Sequence, residues 1–329
     1  MSDLLPVDAL RVTVVIDNTS DGLSTAPPHA RSEMMSLAAR PGVTLTGEAL
    51  CCAHHGLSLL VECERAGRSA TVLFDAGPEG AVFERNVGCL GAGDALGAVT
   101  DVVLSHGHWD HAGGLVRALE RRRTVRRDGF EPALLHVHPG AFVSRAVQFV
   151  TGAIVPMRDV PSVAELERAG AEVVRSSAPA ILGGGCFFLS GEIPRTTSYE
   201  KGFPGHVRRD ASGAWTPDPL LEDERFLAVH VARRGIFVFT ACSHAGIVNV
   251  LRAAAATFPS LPVVGVVGGL HLAGWTERII GETVSDLKSF PLEAIAPGHC
   301  TGFRATAALL HAFGDTIVTP LAVGKRLQF

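Results

Sequence analysis

The sequence lacks the features that would place a protein in a membrane, on a secretory route or on nucleic acid. It contains no run of about 18 apolar residues, so we expect no membrane-spanning helix. Its first residues do not combine a basic region with a long apolar stretch, so we expect no secretory signal. Charged residues make up only 19% of the 329 residues, and the formal net charge of −4 gives no basic excess for binding nucleic acid.

Cysteine is present in an odd number and without a regular framework. The seven cysteines therefore favour a reducing compartment over a disulfide scaffold, and we expect a cytoplasmic protein. The expected partner is a small-molecule substrate, with neither nucleic acid nor membrane involved. Composition leaves the oligomeric state open.

Apolar residues make up 47% of the chain, enough for a large core, and their pattern alternates between strands and helices. Strands are predicted at residues 10–18, 56–62, 70–75, 99–104, 133–138, 171–174, 186–189, 226–231, 235–240, 261–267 and 292–296. Helices are predicted within residues 81–98, from 115 to the arginines near 121–123, and within 163–169, 246–256, 276–290 and 301–313. Two halves that each mix strands with outer helices predict an α/β fold, a four-layer sandwich with sheets inside and helices outside. We expect a single domain over residues 1–329, with a lid or insertion at 20–47, where a short helix at 31–39 is the one regular element expected.

The strongest local signal lies directly after the strand predicted at 99–104. Here three imidazoles and a carboxylate crowd into six positions, His106-Gly107-His108-Trp109-Asp110-His111, which we call the histidine segment. Neutral imidazole and carboxylate suit zinc, iron or manganese, and such a loop can serve two ions. The small residues Gly107, Gly113 and Gly114 are expected to allow the backbone bends that this requires. The segment therefore predicts a metal centre.

The histidine segment resembles the H-x-H-x-D-H signature of the metallo-β-lactamase superfamily. The flanking sequence is similar to one branch, the proteins resembling 7,8-dihydropterin-6-methyl-4-(β-D-ribofuranosyl)-aminobenzene-5′-phosphate synthase. The stretches that match the branch are 55–58, 73–77, 104–115, 190–195, 241–247, 268–272 and 299–302. The resemblance implies an αβ/βα sandwich in which His106 and His108 bind a first metal ion while Asp110 and His111 bind a second.

The remaining ligands are left open by the sequence. Members of the superfamily usually add a middle histidine, a bridging aspartate after a later strand and a histidine near the C-terminus. Where the aspartate is expected, this chain has Cys242-Ser243-His244, and either Cys242 or His244 can coordinate a metal ion or line the pocket. His271 is a candidate ligand or proton donor. His299 follows a predicted strand and is expected to complete the second metal site.

The middle of the chain offers Glu192 and Arg195 where the resemblance leads us to expect a histidine. Either the first ion has fewer protein ligands, or His138 completes its site; His138 is otherwise a packing or substrate-contact residue. A basic set can contact an anionic substrate group or form a solvated loop: Arg195, Lys201, His206 and Arg208. Asp75 is expected to orient a ligand histidine by accepting its second ring N–H.

These residues predict a metal-dependent hydrolase or synthase. Two divalent transition-metal ions, zinc or else iron or manganese, would activate water for attack on a phosphoester, lactone or pterin-like metabolite, with an anionic substrate preferred. Asp110 would orient the nucleophile, and His244 or His271 would protonate the leaving group. The alternative on the same fold is a di-iron redox or oxygen-handling enzyme.

Overall fold

Two large β-sheets and a smaller third sheet organise the chain in the computed structural model, which describes residues 4–126, 129 and 131–329. The strands are β1 (Ala9–Ile16), β2 (Ala30–Arg31), β3 (Ser58–Arg65), β4 (Arg68–Phe74), β5 (Val99–Val103), β6 (Ala133–Val137), β7 (Arg145–Gln148), β8 (Ile154–Pro156), β9 (Ala171–Arg175), β10 (Ala180–Leu182), β11 (Phe187–Leu189), β12 (His206–Arg209), β13 (Trp215–Pro217), β14 (Leu227–Val231), β15 (Gly235–Thr240), β16 (Val263–Gly269), β17 (Ala294–Gly298) and β18 (Arg326–Gln328).

Helices cover the outer faces of the two large sheets. The α-helices are α1 (Glu33–Ala38), α2 (Gly80–Leu90), α3 (Gly93–Gly97), α4 (Trp109–Ala112), α5 (Leu115–Val125), α6 (Val163–Ala169), α7 (Ile247–Thr257), α8 (Ile280–Leu287) and α9 (Phe303–Phe313). Short 3-10 helices occupy Gly47–Ala49, Pro139–Phe142, Gly183–Gly185, Gly274–Ile279 and His299–Thr301. Among the described residues, no helix combines the length and apolar character that crossing a membrane requires.

The first sheet has the strand order β2-β18-β1-β3-β4-β5-β6-β9, and the second has the order β10-β11-β14-β15-β16-β17. A two-residue turn at Ala66 and Gly67 joins β3 to β4, and the positive φ of both residues, 49° and 73°, suits a tight hairpin. Strands β4, β5, β6 and β9 run parallel to one another, as do β15, β16 and β17. Parallel strands leave their C-terminal ends at one edge of each sheet.

Apolar side chains form three layers of core that match a four-layer sandwich. The middle layer lies between the sheets and includes Val12, Leu59 and Phe74 from the first sheet and Phe237 and Phe239 from the second. A second layer lies between the first sheet and helices α2, α3, α5 and α6, and a third lies between the second sheet and α7, α8 and α9. The predicted order of helix, sheet, sheet and helix is confirmed.

Residues 20–47 are more regular than the sequence suggests. β2 extends the edge of the first sheet by pairing with β18, and α1 begins with a capping hydrogen bond from Met35 N to Ser32 Oγ of 3.3 Å. None of these residues lines the cavity of the site described below. The structure therefore gives no support to a lid at this position, although the short helix expected there is confirmed.

A third sheet, with the order β13-β12-β7-β8, was not predicted from the sequence. It is attached to the histidine segment through Arg145, whose guanidinium donates to Gly107 O at 3.1 Å and to Asp223 Oδ1 at 2.6 Å. The other oxygen of Asp223 accepts the Gly107 N–H at 2.8 Å. Both ion-pair partners are almost completely buried, so this network fixes the histidine segment against the third sheet.

We predict that Arg145→Gln lowers the free energy of unfolding by about 3–5 kcal/mol, because it leaves the buried Asp223 carboxylate without its partner. Urea denaturation measures the effect. Arg304→Gln is the matched control, since Arg304 makes an ion pair of the same 2.6 Å length with Glu277 on the surface. That control should lose less than about 1 kcal/mol; equal losses for the two variants would contradict the prediction.

Candidate metal centre

The candidate centre lies where the C-terminal ends of the parallel strands of both large sheets meet. Asp75 follows β4 and the histidine segment follows β5, while Cys242, His271 and His299 follow β15, β16 and β17. The carboxyl ends of parallel strands are the usual place for a ligand site in an α/β fold, because the following loops converge there. Residues distant in the sequence are thereby brought together.

Four residues at these strand ends have a left-handed backbone, which non-glycine residues rarely adopt. The φ angles are 57° at Asp75, 58° at Ser243, 45° at His271 and 46° at His299. Each such conformation costs on the order of 1–3 kcal/mol and persists only where surrounding contacts enforce it. At His299, for example, the backbone N–H donates to the buried carboxylate of Asp17 at 2.8 Å.

The glycines around the histidine segment are needed for space and not for unusual torsion angles. The φ angles of Gly113 and Gly114 are −63° and −87°, which any residue adopts, so the expected backbone bends are absent at these positions. A Cβ atom on Gly113 would lie 1.8 Å from the carbonyl oxygen of Pro78, and one on Gly107 would lie 2.4 Å from that of Ala141. Only glycine lets these segments approach so closely.

The proton on His106 is placed by a buried chain of hydrogen bonds. Ser105 Oγ lies 2.7 Å from Asp75 Oδ2 and 2.9 Å from His106 Nδ1. The single hydroxyl proton goes to the carboxylate, so the serine oxygen accepts from His106 Nδ1–H. Nε2 of His106 is then left with a free lone pair.

The proton on His108 is placed in the same way from the third sheet. His206 Nδ1 donates to the carbonyl oxygen of Asp218 at 2.8 Å, and burial lowers the pKa of His206 to about 4, so its Nε2 carries no proton. His108 Nε2, 2.9 Å away, must therefore donate to it. Burial and the neighbouring His244 and His206 hold the pKa of His108 well below its usual range, so its Nδ1 also has a free lone pair.

The lone pairs of His106 Nε2 and His108 Nδ1 face each other at 3.1 Å, an arrangement that a cation between them relieves. Two nitrogens bound to one tetrahedral zinc ion lie about 3.3 Å apart, since each Zn–N bond is about 2.0 Å. His244 lies beside this pair, and one ligand atom from each of the three residues falls within 4.8 Å of the others. Both ring nitrogens of His244 are buried, and neither has a hydrogen-bond partner among the described residues. The chemistry of this triad fits a metal ion.

A second group surrounds Asp110. His111 Nδ1 lies 2.8 Å from Asp75 Oδ2, which is the contact expected of Asp75, and His111 Nε2 lies 3.7 Å from Asp110 Oδ2. Asn18 Oδ1 accepts the backbone N–H of Gly56, which identifies this atom of the amide as the oxygen. His299 Nδ1, 2.9 Å away, therefore donates to it. In the neutral ring, His299 Nε2 therefore has a free lone pair, and this nitrogen lies 3.3 Å from Asp110 Oδ2. This group also fits a metal ion.

Charge in the second group depends on the same contacts. Burial opposes the charge of Asp110, but the neighbouring imidazole of His111 outweighs it and holds the pKa of Asp110 well below its usual range. Burial likewise opposes protonation of His111, but the carboxylates of Asp110 and Asp75 raise the pKa of His111 to about 9. A metal ion that binds His111 Nε2 near neutral pH therefore displaces a proton.

His271 lies on the wall of the site, next to His244 and opposite Phe203. Its ring centroid is 4.3 Å from that of His244, and its buried Nδ1 has no hydrogen-bond partner in the part of the chain that the structure describes. Burial tends to lower the pKa of His271, but the adjacent thiol of Cys300 and the carboxylate of Glu224 outweigh it and raise that pKa above its usual value. Glu224 also holds the backbone of the adjacent His244, because its carboxylate accepts the His244 N–H at 2.7 Å.

An open cavity of about 620 Å³ leads to both metal-ligand groups. Its wall combines residues of the centre with apolar side chains. Residues on this wall include Trp109, Asp110, Phe203, Cys242, His244, His271, His299 and Phe303. A cavity of this size suits a small molecule.

Three expectations from the middle of the chain are corrected by the structure. Glu192 is exposed, and the guanidinium of Arg195 donates to the carbonyl oxygen of Leu220, so neither reaches the cavity. His138 does not complete the first site, because its Nδ1 accepts the N–H of Gly140 at 3.0 Å and it belongs to none of the described ligand groups. Instead, the structure brings His244, on the loop after β15, beside His106 and His108.

Two histidines have roles that sequence reasoning missed. His206 was grouped with Lys201 and Arg208 as a possible contact for an anion; those two are exposed, whereas His206 is buried and bonds His108 from behind. His55 Nε2 lies 3.4 Å from Asp110 Oδ2 at the cavity mouth. The sequence pointed to His55 only through its place in residues 55–58, a stretch similar to the branch, and that similarity does not indicate what His55 does.

Comparison with known sequences identifies the same part of the chain. Residues 53–129, which contain the histidine segment, match the model of the Metallo-beta-lactamase superfamily. The chain is 29% identical over 280 residues to 7,8-dihydropterin-6-methyl-4-(beta-D-ribofuranosyl)-aminobenzene-5'-phosphate synthase of Methanocaldococcus jannaschii, covering 84% of this chain and 90% of that protein. It is 27% identical over 257 residues to an uncharacterised protein of the same organism, covering 78% of this chain and 88% of that protein.

Solved structures agree on the fold. The crystal structure of Tm1679, a metal-dependent hydrolase of the beta-lactamase superfamily, superposes with a TM-score of 0.68 at 24% identity and covers 97% of this chain and 98% of that one. Unliganded yeast PDE1 superposes with a TM-score of 0.51 at 9% identity and covers 99% of this chain and 100% of that one. The expected metallo-β-lactamase fold is confirmed.

We predict that Asp75→Asn weakens metal binding by about 10–100-fold. An amide N–H facing His111 Nδ1 would move the ring proton to Nε2, where it blocks the lone pair. Titration of the metal-free protein with zinc measures the affinity. Asp101→Asn is the matched control, because Asp101 accepts from His136 Nε2 at the same distance of 2.8 Å on strands β5 and β6. Asp101→Asn should leave zinc affinity unchanged; a similar loss in both variants would rule the prediction out.

Proposed function

We propose that this chain, which has the metallo-β-lactamase fold and carries the superfamily's match in residues 53–129, is a metal-dependent enzyme that activates water for attack on a small, anionic metabolite. His106, His108 and His244 would hold one divalent transition-metal ion. Asp110, His111 and His299 would hold another.

The observation that carries this proposal is the direction of the ring nitrogens. In His106, His108, His111 and His299, one nitrogen is engaged by a buried partner, and the other is directed into the centre. Imidazoles that only pack in a core have no need for converging ring nitrogens, and the facing lone pairs of His106 and His108 repel one another. A site for cations explains this arrangement, and outer partners that fix ring orientation are typical of metal-ligating histidines.

Divalent metal ions at such a centre lower the pKa of a water molecule to about 7 and polarise substrate oxygens. Asp110 would contribute by binding and by orienting the attacking water through its carboxylate. His55 limits the rotation of that carboxylate from the cavity side. The Nδ1 lone pair of His55 accepts from the Asn18 amide at 3.1 Å, so His55 Nε2–H points to Asp110.

His271 is the proposed proton donor to the leaving group. It shares a ligand group with Cys242 and His244 but with no member of the histidine segment. Its unpartnered Nδ1 and its place on the cavity wall leave it free to reach a substrate. We propose His271 and not His244 as the donor, since His244 is needed to complete the triad with His106 and His108.

The substrate class is proposed from the cavity and the relatives. Trp109, Phe203 and Phe303 give the wall aromatic surface suited to a planar or partly apolar molecule, while the metal ions would attract an anionic group. One relative is a synthase whose name contains a dihydropterin and a phosphate, and a structural neighbour is called a metal-dependent hydrolase. A phosphoester, a lactone or a pterin-like compound is consistent with both.

We expect protein purified from its native host to contain close to two transition-metal ions per chain. Chelation should abolish turnover of a panel of phosphodiesters, lactones and thioesters, and zinc should restore it. Asp110→Ala should lose one equivalent of metal and at least about 10²-fold in turnover, since both nucleophile orientation and a ligand are removed. Elemental analysis and steady-state kinetics measure these effects.

His311→Gln is the control, because His311 is an exposed histidine of α9. It should keep wild-type metal content and turnover. Metal-free protein with undiminished turnover would refute the proposal. Iron as the native metal, together with no hydrolysis of any compound in the panel, would favour the redox alternative instead.

For any substrate that the panel identifies, His271→Gln should lower kcat by about 10²–10⁴-fold while metal content stays at the wild-type value, because a proton donor is lost and no ligand is removed. Substrates with good leaving groups, which need no protonation, should be affected much less. A parallel loss of metal in His271→Gln would show that His271 is a ligand.

A further inference from the structure

We propose that a small cavity on the outer face of the first sheet binds a phosphate group, free or carried by a small molecule, through Arg31, Arg40 and Arg326. The cavity has a volume of about 180 Å³ and lies between α1, the end of α2 and the edge strands β2 and β18. None of the residues that line it lines the cavity of the candidate metal centre. The inference therefore concerns a second ligand site and does not rest on the proposed function.

Two of the three arginines are held side by side by the pairing of β2 with β18. Arg31 lies directly opposite Arg326 in this antiparallel pair, and Ala30 lies opposite Leu327. Ala30 and Leu327 belong to the core layer between the two large sheets. Because successive side chains of a strand point to opposite faces, Arg31 and Arg326 both point away from that core, toward the outer helices. The register of the strands thus places two positive charges on one face.

The arginines of this cavity lack the partners that would compensate their charge. Like charges directly opposite each other on neighbouring strands destabilise a sheet, so the pair of Arg31 and Arg326 is unfavourable by itself. Within the described part of the chain, the guanidinium groups of Arg31 and Arg40 form neither a hydrogen bond nor an ion pair. Nε of Arg40 is moreover buried, which is unfavourable for an unpaired donor. An anion bound among the three groups would relieve both conditions.

The residues that line the cavity carry an excess of positive charge, although the whole chain has a formal net charge of −4. Glu33 is the one acidic residue among them, against three arginines. One oxygen of Glu33 accepts the backbone N–H of Cys51 at 2.6 Å, which fixes the carboxylate on the protein side. Two positive charges remain uncompensated in the cavity, and a dianion would balance them.

A simpler role for these arginines would be to stabilise the C-terminal end of α2. Arg326 does donate to the carbonyl oxygen of Leu90 at 2.9 Å, and a cation is favourable at that end of a helix. Arg40 is also close, since a Cβ atom on Gly91 would lie 3.0 Å from its Nη1. This role explains neither the position of Arg31 opposite Arg326 nor the buried Nε of Arg40. A ligand in the cavity accounts for all three residues.

The arrangement suits a phosphate group better than a carboxylate. A guanidinium presents its N–H donors in a planar fork that matches two oxygens of either anion. A carboxylate has only two oxygens to share among three guanidinium groups, whereas a phosphate group has three terminal oxygens and up to two negative charges. Pockets for whole drug-sized molecules measure about 300–1,000 Å³, so the smaller volume here fits a phosphate group with at most a small substituent.

Calorimetric titration of the metal-loaded protein with inorganic phosphate tests the proposal at low ionic strength, where charges are least screened. Arg40→Gln and Arg326→Gln should each weaken phosphate binding by about 10–100-fold, because each removes hydrogen bonds from a charged donor. The zinc content of both variants should stay at the wild-type value, since neither residue contacts the metal centre.

Two control variants separate this cavity from other places where phosphate could bind. Arg11→Gln removes an exposed arginine of the same sheet that already forms an ion pair with Glu64 at 3.0 Å, so it should leave the phosphate affinity unchanged. Asp110→Ala alters the metal centre and should keep the binding that the arginine variants weaken. Phosphate binding that both arginine variants retain, or that only Asp110→Ala removes, would overturn the proposal while leaving the proposed function in place.

Urea denaturation provides an independent readout of the repulsion between Arg31 and Arg326. In phosphate-free buffer of low ionic strength, Arg31→Gln should raise the midpoint of unfolding, because it removes one of two like charges. Phosphate should raise the midpoint of the wild type, which it binds in the folded state, and should have a smaller effect on Arg31→Gln. A lower midpoint for Arg31→Gln in phosphate-free buffer would overturn the proposed role of this pair.

Titration with glycerol 3-phosphate distinguishes the two sources of the phosphate group. Tighter binding of glycerol 3-phosphate than of inorganic phosphate would identify a phosphorylated metabolite as the ligand, and the reverse order would identify the free ion. Either order supports the site if Arg40→Gln weakens the binding. Acetate that binds as tightly as both phosphate compounds, with the same dependence on Arg40, would overturn the assignment of a phosphate group.

Discussion

The centre depends on buried hydrogen bonds that occupy one nitrogen of each converging imidazole. Ser105, Asp75, His206 and Asn18 each bind one ring, and each comes from a different part of the chain. A buried donor that loses its partner costs about 1–3 kcal/mol, so the ring orientations are expensive to change. The folded chain therefore arranges the donor atoms in advance, and the strained strand ends hold that arrangement.

Much of the fold could be predicted because it follows from local patterns. Apolar runs such as 235–240 and the tight turn at Ala66 and Gly67 carry their structure in neighbouring residues. The third sheet could not be found this way, because its strands β7, β8, β12 and β13 have only three or four residues each. Runs so short are too brief for a periodic pattern to distinguish them from loop.

The site residues likewise divide into those that local sequence reveals and those that depend on how the strands pair. The histidine segment could be recognised because its ligands lie within six positions, and His299 because it follows a strand. His244 and His138 could not be told apart, since both follow strands and only the pairing of β14, β15 and β16 decides which one reaches the segment. The sequence left His206 open between a substrate contact and a solvated loop for a related reason, because its burial depends on a sheet that the sequence did not reveal.

The contact between His108 and His206 links metal binding at the proposed centre to folding of the third sheet. His206 is the first residue of β12, so the ring that orients a ligand also belongs to the third sheet. A metal ion bound at His108, as proposed, would also stabilise the sheet, and by thermodynamic linkage a well-formed sheet would strengthen binding of the ion. Metal binding and completion of the fold around residues 145–217 would then be one equilibrium, with the ion acting as a late structural element of the protein.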